Sequence, residues 1–140
     1  MVESVIRAQM PYSYHIEKAQ GLVISTARDR VTYAEIRDHQ EQLLLDCHFD
    51  PKFSQLIDGT RTTALDISSE EAKLVAARRI FSAPSRRAYV SPGPTVPGVG
   101  LLMAVYQDAG MISSGMRVFY DFHSAFDWLQ RDADQHSNRG

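Results

Sequence analysis

The chain carries a single cysteine, Cys47, so no intrachain disulfide can brace it. No apolar run approaches the roughly 20 residues that span a bilayer, and a transmembrane helix is not expected. A basic excess is also missing. The 15 Lys and Arg are outnumbered by 17 Asp and Glu, for a formal net charge of −2, whereas a broad nucleic-acid footprint needs the opposite balance. Residues Met1 to Arg7 lack the basic start and apolar stretch of a secretory signal. The histidines, His15, His39, His48, His123 and His136, form no His-x-His or His-x-x-x-His pair, so no metal site is expected. Cys47 and His48 are adjacent, and neighbours on a helix diverge, which disfavours a nucleophile and base. No nucleophile elbow, glycine-rich phosphate loop or cofactor fingerprint is present. These absences lead to the expectation of a soluble, cytoplasmic protein with no cofactor, for which catalysis is not the favoured reading.

What is present suffices for one domain. In 140 residues, 44% are hydrophobic and 23% charged, close to globular averages, so a real core is expected. Residues 1 to 9 show no sustained period and read as a mobile extension; residues 10 to 131 read as a single domain; the polar stretch from Asp132 to Gly140 reads as a disordered tail. Tyr12, Tyr14 and Ile16 alternate on one face of a strand, Lys18 to Gly21 supply a turn, and Leu22 to Ala27 form the hairpin partner, ended by Arg28-Asp29-Arg30. Thr32 with Glu35 forms a capping box, stapled by Val31 and Ile36, and opens a helix whose apolar stripe is Ile36, Leu43, Leu44 and Cys47. Phe53 to Asp58 is a short buried strand stopped by Asp58-Gly59. Ser68 with Glu71 is a second capping box, opening a helix to about Phe81 with Ala72, Val75, Ala76 and Ile80 inward. Arg87 to Val90 is a strand, Pro97 to Ala109 a helix with Gly110 at its C′ position, and Met116 to Phe119 the last strand. Asp121 caps a final helix carrying Phe122, Ala125, Phe126 and Leu129. The order predicts an α/β domain, with a mixed five-stranded sheet, a leading antiparallel hairpin and four helices on right-handed crossovers.

This element order, with the run Phe53 to Ile80 in particular, resembles the STAS-like domains of bacterial anti-sigma-factor antagonists and their SpoIIAA-like relatives. The resemblance covers roughly Tyr12 to Gln130 as topology. In that family a serine in an Asp-Ser-Ser-Gly-type loop opens the helix after the third strand and is phosphorylated by a partner kinase. The matching segment here is Leu65-Asp66-Ile67-Ser68-Ser69-Glu70, with Ile67 intervening and Glu70 where the family has glycine. The resemblance implies a non-enzymatic regulatory module that binds another protein. Relatives outside the phosphorylated group imply an alternative, a carrier of an apolar small molecule or lipid.

Candidate site residues follow from both arguments. Ser68 and Ser69 would hold a phosphate at a helix N-terminus, although the capping box accounts for them without one. Asp58 and Arg61 follow the third strand, where open sheets bind ligands, and Asp58 to Arg61 also reads as a plain polar turn with glycine at a positive φ. The loop Ser91 to Gly98, with Thr95 at its centre, either offers amides at a helix start or serves as a stiff connector. Arg78, Arg79, Arg86 and Arg87 form a basic patch that suits an acidic partner or a helix dipole. Leu102, Met103 and Tyr106 make the third helix apolar on more than one face, which suits an apolar ligand or association as a homodimer. For acid–base work the available groups are Asp58 with Arg61, and His123 near Asp121.

Overall fold

The computed structural model describes residues 11–82, 85–110 and 115–138. The extension at residues 1–9 and the end of the tail lie outside the described residues. Strand β1 (Tyr12–Glu17) and β2 (Leu22–Thr32) form the leading hairpin, joined by one turn of 3-10 helix over Lys18–Gln20 and by Gly21 at φ 60°. Then come α1 (Tyr33–Leu45), β3 (Ser54–Asp66), α2 (Ser69–Ala77), β4 (Arg87–Val90), α3 (Val99–Asp108), β5 (Met116–Phe119) and α4 (Phe122–Asn138). The five strands lie in one sheet in chain order, β1-β2-β3-β4-β5. β1 pairs antiparallel with β2 and every later pair is parallel, so the expected mixed sheet is present.

Both capping boxes form. The Thr32 hydroxyl accepts from the Glu35 amide at 3.4 Å while Glu35 accepts from the Thr32 amide at 3.1 Å. Ser68 and Glu71 repeat the arrangement at 3.1 and 2.9 Å. Each box satisfies two amides that the first helical turn leaves free. Asp121 accepts from the Ser124 amide at 2.8 Å at the start of α4, as its position predicts.

The sheet has two covered faces, because successive strand residues point to opposite sides. On one face Ala27, Tyr89 and Met116 pack with Ile36 of α1, Ala72 and Val75 of α2, and Leu102, Val105 and Tyr106 of α3. On the other, Leu22, Leu56, Ala88 and Val90 pack with Ala125 and Leu129 of α4. A further cluster of Val23, Leu43 and Ile80 closes the first face near the hairpin. Among the described residues no helix is long and apolar enough to cross a membrane.

Several boundaries differ from expectation. β2 does not end at Arg28 but runs to Thr32, and β3 does not stop at Asp58-Gly59 but runs to Asp66. Both are carried onward by parallel pairing with each other, past two irregularities where β3 supplies an extra residue. Opposite them Asp29 takes φ 58°, a conformation that aspartate tolerates better than most residues. The bulge is the reason the chain reads as a turn at Asp58. Its carboxylate accepts from the Thr60 amide at 3.0 Å and the Thr60 hydroxyl at 2.7 Å, the local pattern of a turn set inside a strand. Gly59 has no positive φ, contrary to expectation. A Cβ there would meet Tyr89 Cε1 at 2.8 Å and the Val90 carbonyl oxygen at 2.9 Å, so glycine serves close approach. Leu44 and Cys47 are exposed rather than inward, and the stripe of α1 is Ile36, His39 and Leu43. α2 ends at Ala77, short of Phe81, and α3 begins at Val99, capped by Gly98 rather than opened by Pro97. α4 continues to Asn138, past the expected domain end at 131.

Candidate functional site

Beneath α1, α2 and α3 the first face of the sheet encloses a cavity of about 60 Å³. Its floor is Gln55, Ile57, Arg87 and Met116, successive positions across β3, β4 and β5. His39 and Gln40 reach it from α1, Arg78 from just beyond α2, and Tyr106 from α3. These polar groups come from five separate stretches of the chain, so no contiguous motif announces them.

His39 anchors one wall. Gln55 Nε2 donates to Ser25 Oγ at 2.9 Å, and Ser25 Oγ lies 2.9 Å from His39 Nε2. A neutral imidazole satisfies this bond in either tautomer, with the serine hydroxyl donating to Nε2 or accepting from it. The ring packs against Tyr12 at 4.2 Å and edge-on to Tyr14 at 5.4 Å between centroids. Burial pulls the His39 pKa down to about 4, because a charged imidazole would lose its hydration there. Burial likewise pushes the Tyr106 hydroxyl up to about 12, opposed by the nearby Arg87 charge. Tyr12 and Tyr89 are raised above the ordinary phenol range for the same reason.

Arg87 is the electrostatic centre. Burial lowers its pKa, nearby Tyr106 opposes that, and Arg79 reinforces it by like-charge repulsion. Its Nε and the Gln40 Oε1 are buried and make no hydrogen bond among the described residues. Arg78 is held at 3.7 Å by Glu41 of α1. Among the described residues no Asp or Glu lines the cavity, so its charged lining there is positive.

A second feature lies on the opposite side of the sheet, where β5 forms an edge and α4 begins. Arg117 stacks over Phe119 at 5.5 Å and over Trp128 at 5.8 Å, and Arg86 stacks over Trp128 at 5.6 Å. Phe119 and Trp128 are 5.6 Å apart, and Phe122 stacks on Phe126 at 6.0 Å. Tyr120 and Phe122 are 74% and 45% exposed, high for aromatic side chains in a folded domain.

The architecture now meets a known one. No protein-family model matches the chain, and no curated protein matches it. A solved structure does match it: an uncharacterized protein of the DUF3478 family with a SpoIIAA-like fold, from Shewanella loihica PV-4. The two share 23% identity over 84% of this chain and 93% of that one, with a TM-score of 0.50. The fold is SpoIIAA-like. That bears out the fold expected from the element order, and at this identity it speaks for the fold alone.

On this SpoIIAA-like sheet the residues singled out from sequence do not gather into one site. Asp58 sits within β3 and its carboxylate is used by the bulge, eight residues, or roughly 26 Å of extended strand, from Asp66. Arg61 is an exposed strand residue opposite Arg28. Asp66 pairs with Arg30 across the β2–β3 ladder. Ser68 is spent as the α2 cap, whereas Ser69 and Thr95 are exposed. The proline-rich loop does reach this region, since the Leu65 amide donates to the Pro97 carbonyl at 2.8 Å. Leu102 is buried in the core and Met103 packs against it; only Tyr106 of that trio lines the cavity. Sequence reasoning missed His39, Gln40, Gln55 and the aromatic corner. The signal available was a polar residue, His39, at a helix position whose neighbours Ile36 and Leu43 point inward.

Proposed function

We propose that this chain is a non-catalytic binding module that docks another protein through the aromatic corner at β5 and α4. One observation carries the reading: Tyr120 and Phe122 stand exposed at the β5–α4 junction, and Arg86 and Arg117 stack over Trp128 of the same helix. Aromatic side chains and arginine dominate the energetics of protein interfaces, because they bury large rigid area and still offer polar contact. Phe119, Phe126 and Trp128 of the same corner pack against the core of the second face, whereas Tyr120 and Phe122 are left exposed, and folding does not explain that exposure. A serine switch is a weaker form of this reading, because Ser68 already serves as a helix cap and Glu70 and Glu71 would repel a phosphate.

Site-specific photo-crosslinking in the native host tests it. A crosslinking amino acid at Tyr120 is expected to give a discrete protein adduct, absent from the same probe at exposed Lys52. The adduct should fall at least tenfold in Phe122→Ser with Arg117→Ala. No adduct at Tyr120, or the same adduct from Lys52, refutes the corner as an interface. An adduct obtained only from a probe at Ser69 would move the interface to the α2 start.

A further inference from the structure

The cavity under the three helices is unrelated to the aromatic corner and has its own chemistry. A guanidinium taken out of water is costly unless its charge and its donors are met. Arg87 is largely withdrawn from solvent, and its Nε–H meets no acceptor among the described residues. The amide oxygen of Gln40, in the same lining, meets no donor. One orphan is therefore a cationic donor and the other a neutral acceptor. Among the described residues nothing in the lining is anionic, and Glu41 is engaged with Arg78. The volume of about 60 Å³ has room for about four waters at ~15 Å³ each, or a solute of similar size.

We infer that this cavity binds a small hydroxycarboxylate, with its carboxylate on Arg87 and its hydroxyl donating to Gln40. The carboxylate supplies both the negative charge and an in-plane acceptor that suits a guanidinium edge. The hydroxyl separates this class from simple carboxylates, which carry no proton for the Gln40 oxygen. Neutral His39, held by Ser25, contributes no competing charge. A dianion fits less well, because only one guanidinium here is free of a carboxylate partner.

Titration of the isotope-labelled protein with glycolate, acetate and ethylene glycol tests the inference, following the Arg87 Nε–H and Gln40 side-chain resonances by NMR. Glycolate is expected to shift both and saturate, with acetate roughly tenfold weaker and ethylene glycol without effect. Gln40→Met should abolish the preference for glycolate while retaining acetate binding. Arg87→Gln should abolish both, and Arg87→Lys, which keeps the charge but loses the guanidinium edge, should weaken both and serves as the test if Arg87→Gln does not fold. Flat responses to all three probes in the wild-type chain would show that the cavity holds only water and overturn the proposal. Equal affinity for glycolate and acetate would overturn the role given to Gln40.

Discussion

At the scale of single residues, His39 is the group whose environment departs furthest from what its type prefers. It is 4% exposed and, among the described residues, hydrogen-bonded through Ser25, so folding holds it neutral. Its pKa of about 4 lies below the unfolded value of 6.5. Between those values the unfolded chain binds a proton that the native chain refuses, so stability rises with pH there. The contribution is fully present above pH 6.5, is lost as pH falls toward 4, and amounts to on the order of 3 kcal/mol. Urea midpoints at pH 7.5 and 4.5 should therefore drop further for the wild-type chain than for His39→Gln. Equal drops would mean that imidazole protonation is not coupled to unfolding. Glycines provide a second contrast. A Cβ at Gly98, which has φ +87°, would meet the Leu65 carbonyl oxygen at 1.9 Å, whereas one at Gly100 meets nothing within 4 Å. Gly98→Ala should destabilise by more than about 2 kcal/mol, through backbone strain and collision together. Gly100→Ala, inside α3, should stabilise by roughly 0.5–1 kcal/mol. Thermal denaturation of the two variants decides both signs.

At the scale of elements, the capping boxes explain why helices begin where they do, and they also bear on the serine reading. Ser68→Ala removes the oxygen that receives the Glu71 amide and should cost about 1 kcal/mol. Ser68→Asp keeps a good cap and should stay within about 0.5 kcal/mol of wild type by urea denaturation. If Ser68→Ala were neutral, the serine would not be acting as a cap and a regulatory role would regain ground. These caps were readable from sequence because their spacing is local. So were β1, β4, β5 and the turn at Gly21, whose punctuation sits next to the elements it bounds. The long halves of β2 and β3 were not. Arg28, Asp29, Arg30 and Arg61 look like loop residues, and each bulge shifts the alternation by one, so period-2 reading fails where the ladder continues. Leu44 reads as core because only the inward face of α1, fixed by tertiary packing, shows that His39 takes that place. The cavity stayed hidden for the same reason: Gln40, Gln55, Arg78 and Arg87 come together only once β3, β4 and two helices assemble.

At the scale of the whole molecule, the sheet is a single layer whose two faces are covered very unequally. Three helices, all introduced by parallel crossovers, cover the first face, and α4 alone covers the second. Leu56, Ala88 and Val90, each 0% exposed, owe their burial on that side to a helix supplied last along the chain. The strands they belong to also carry Gln55, Ile57, Arg87 and Tyr89, which face the other way into the cavity and the larger core. Loss of α4 packing would therefore unseat both layers, and the two faces should unfold together. Trp128, the only tryptophan of the chain, reports on α4, while far-UV circular dichroism reports on the whole fold. The two transitions in urea should coincide. Leu129→Ala removes a side chain 5% exposed against β3 and β4, and should cost about 2–5 kcal/mol. That is a large part of the roughly 5–15 kcal/mol typical of a domain. Its fluorescence and dichroism curves should shift together to lower urea. If instead tryptophan fluorescence changed first, with dichroism unaffected, α4 would be a detachable layer. The aromatic corner it carries would then be presented by a helix that can leave the sheet rather than by a fixed surface.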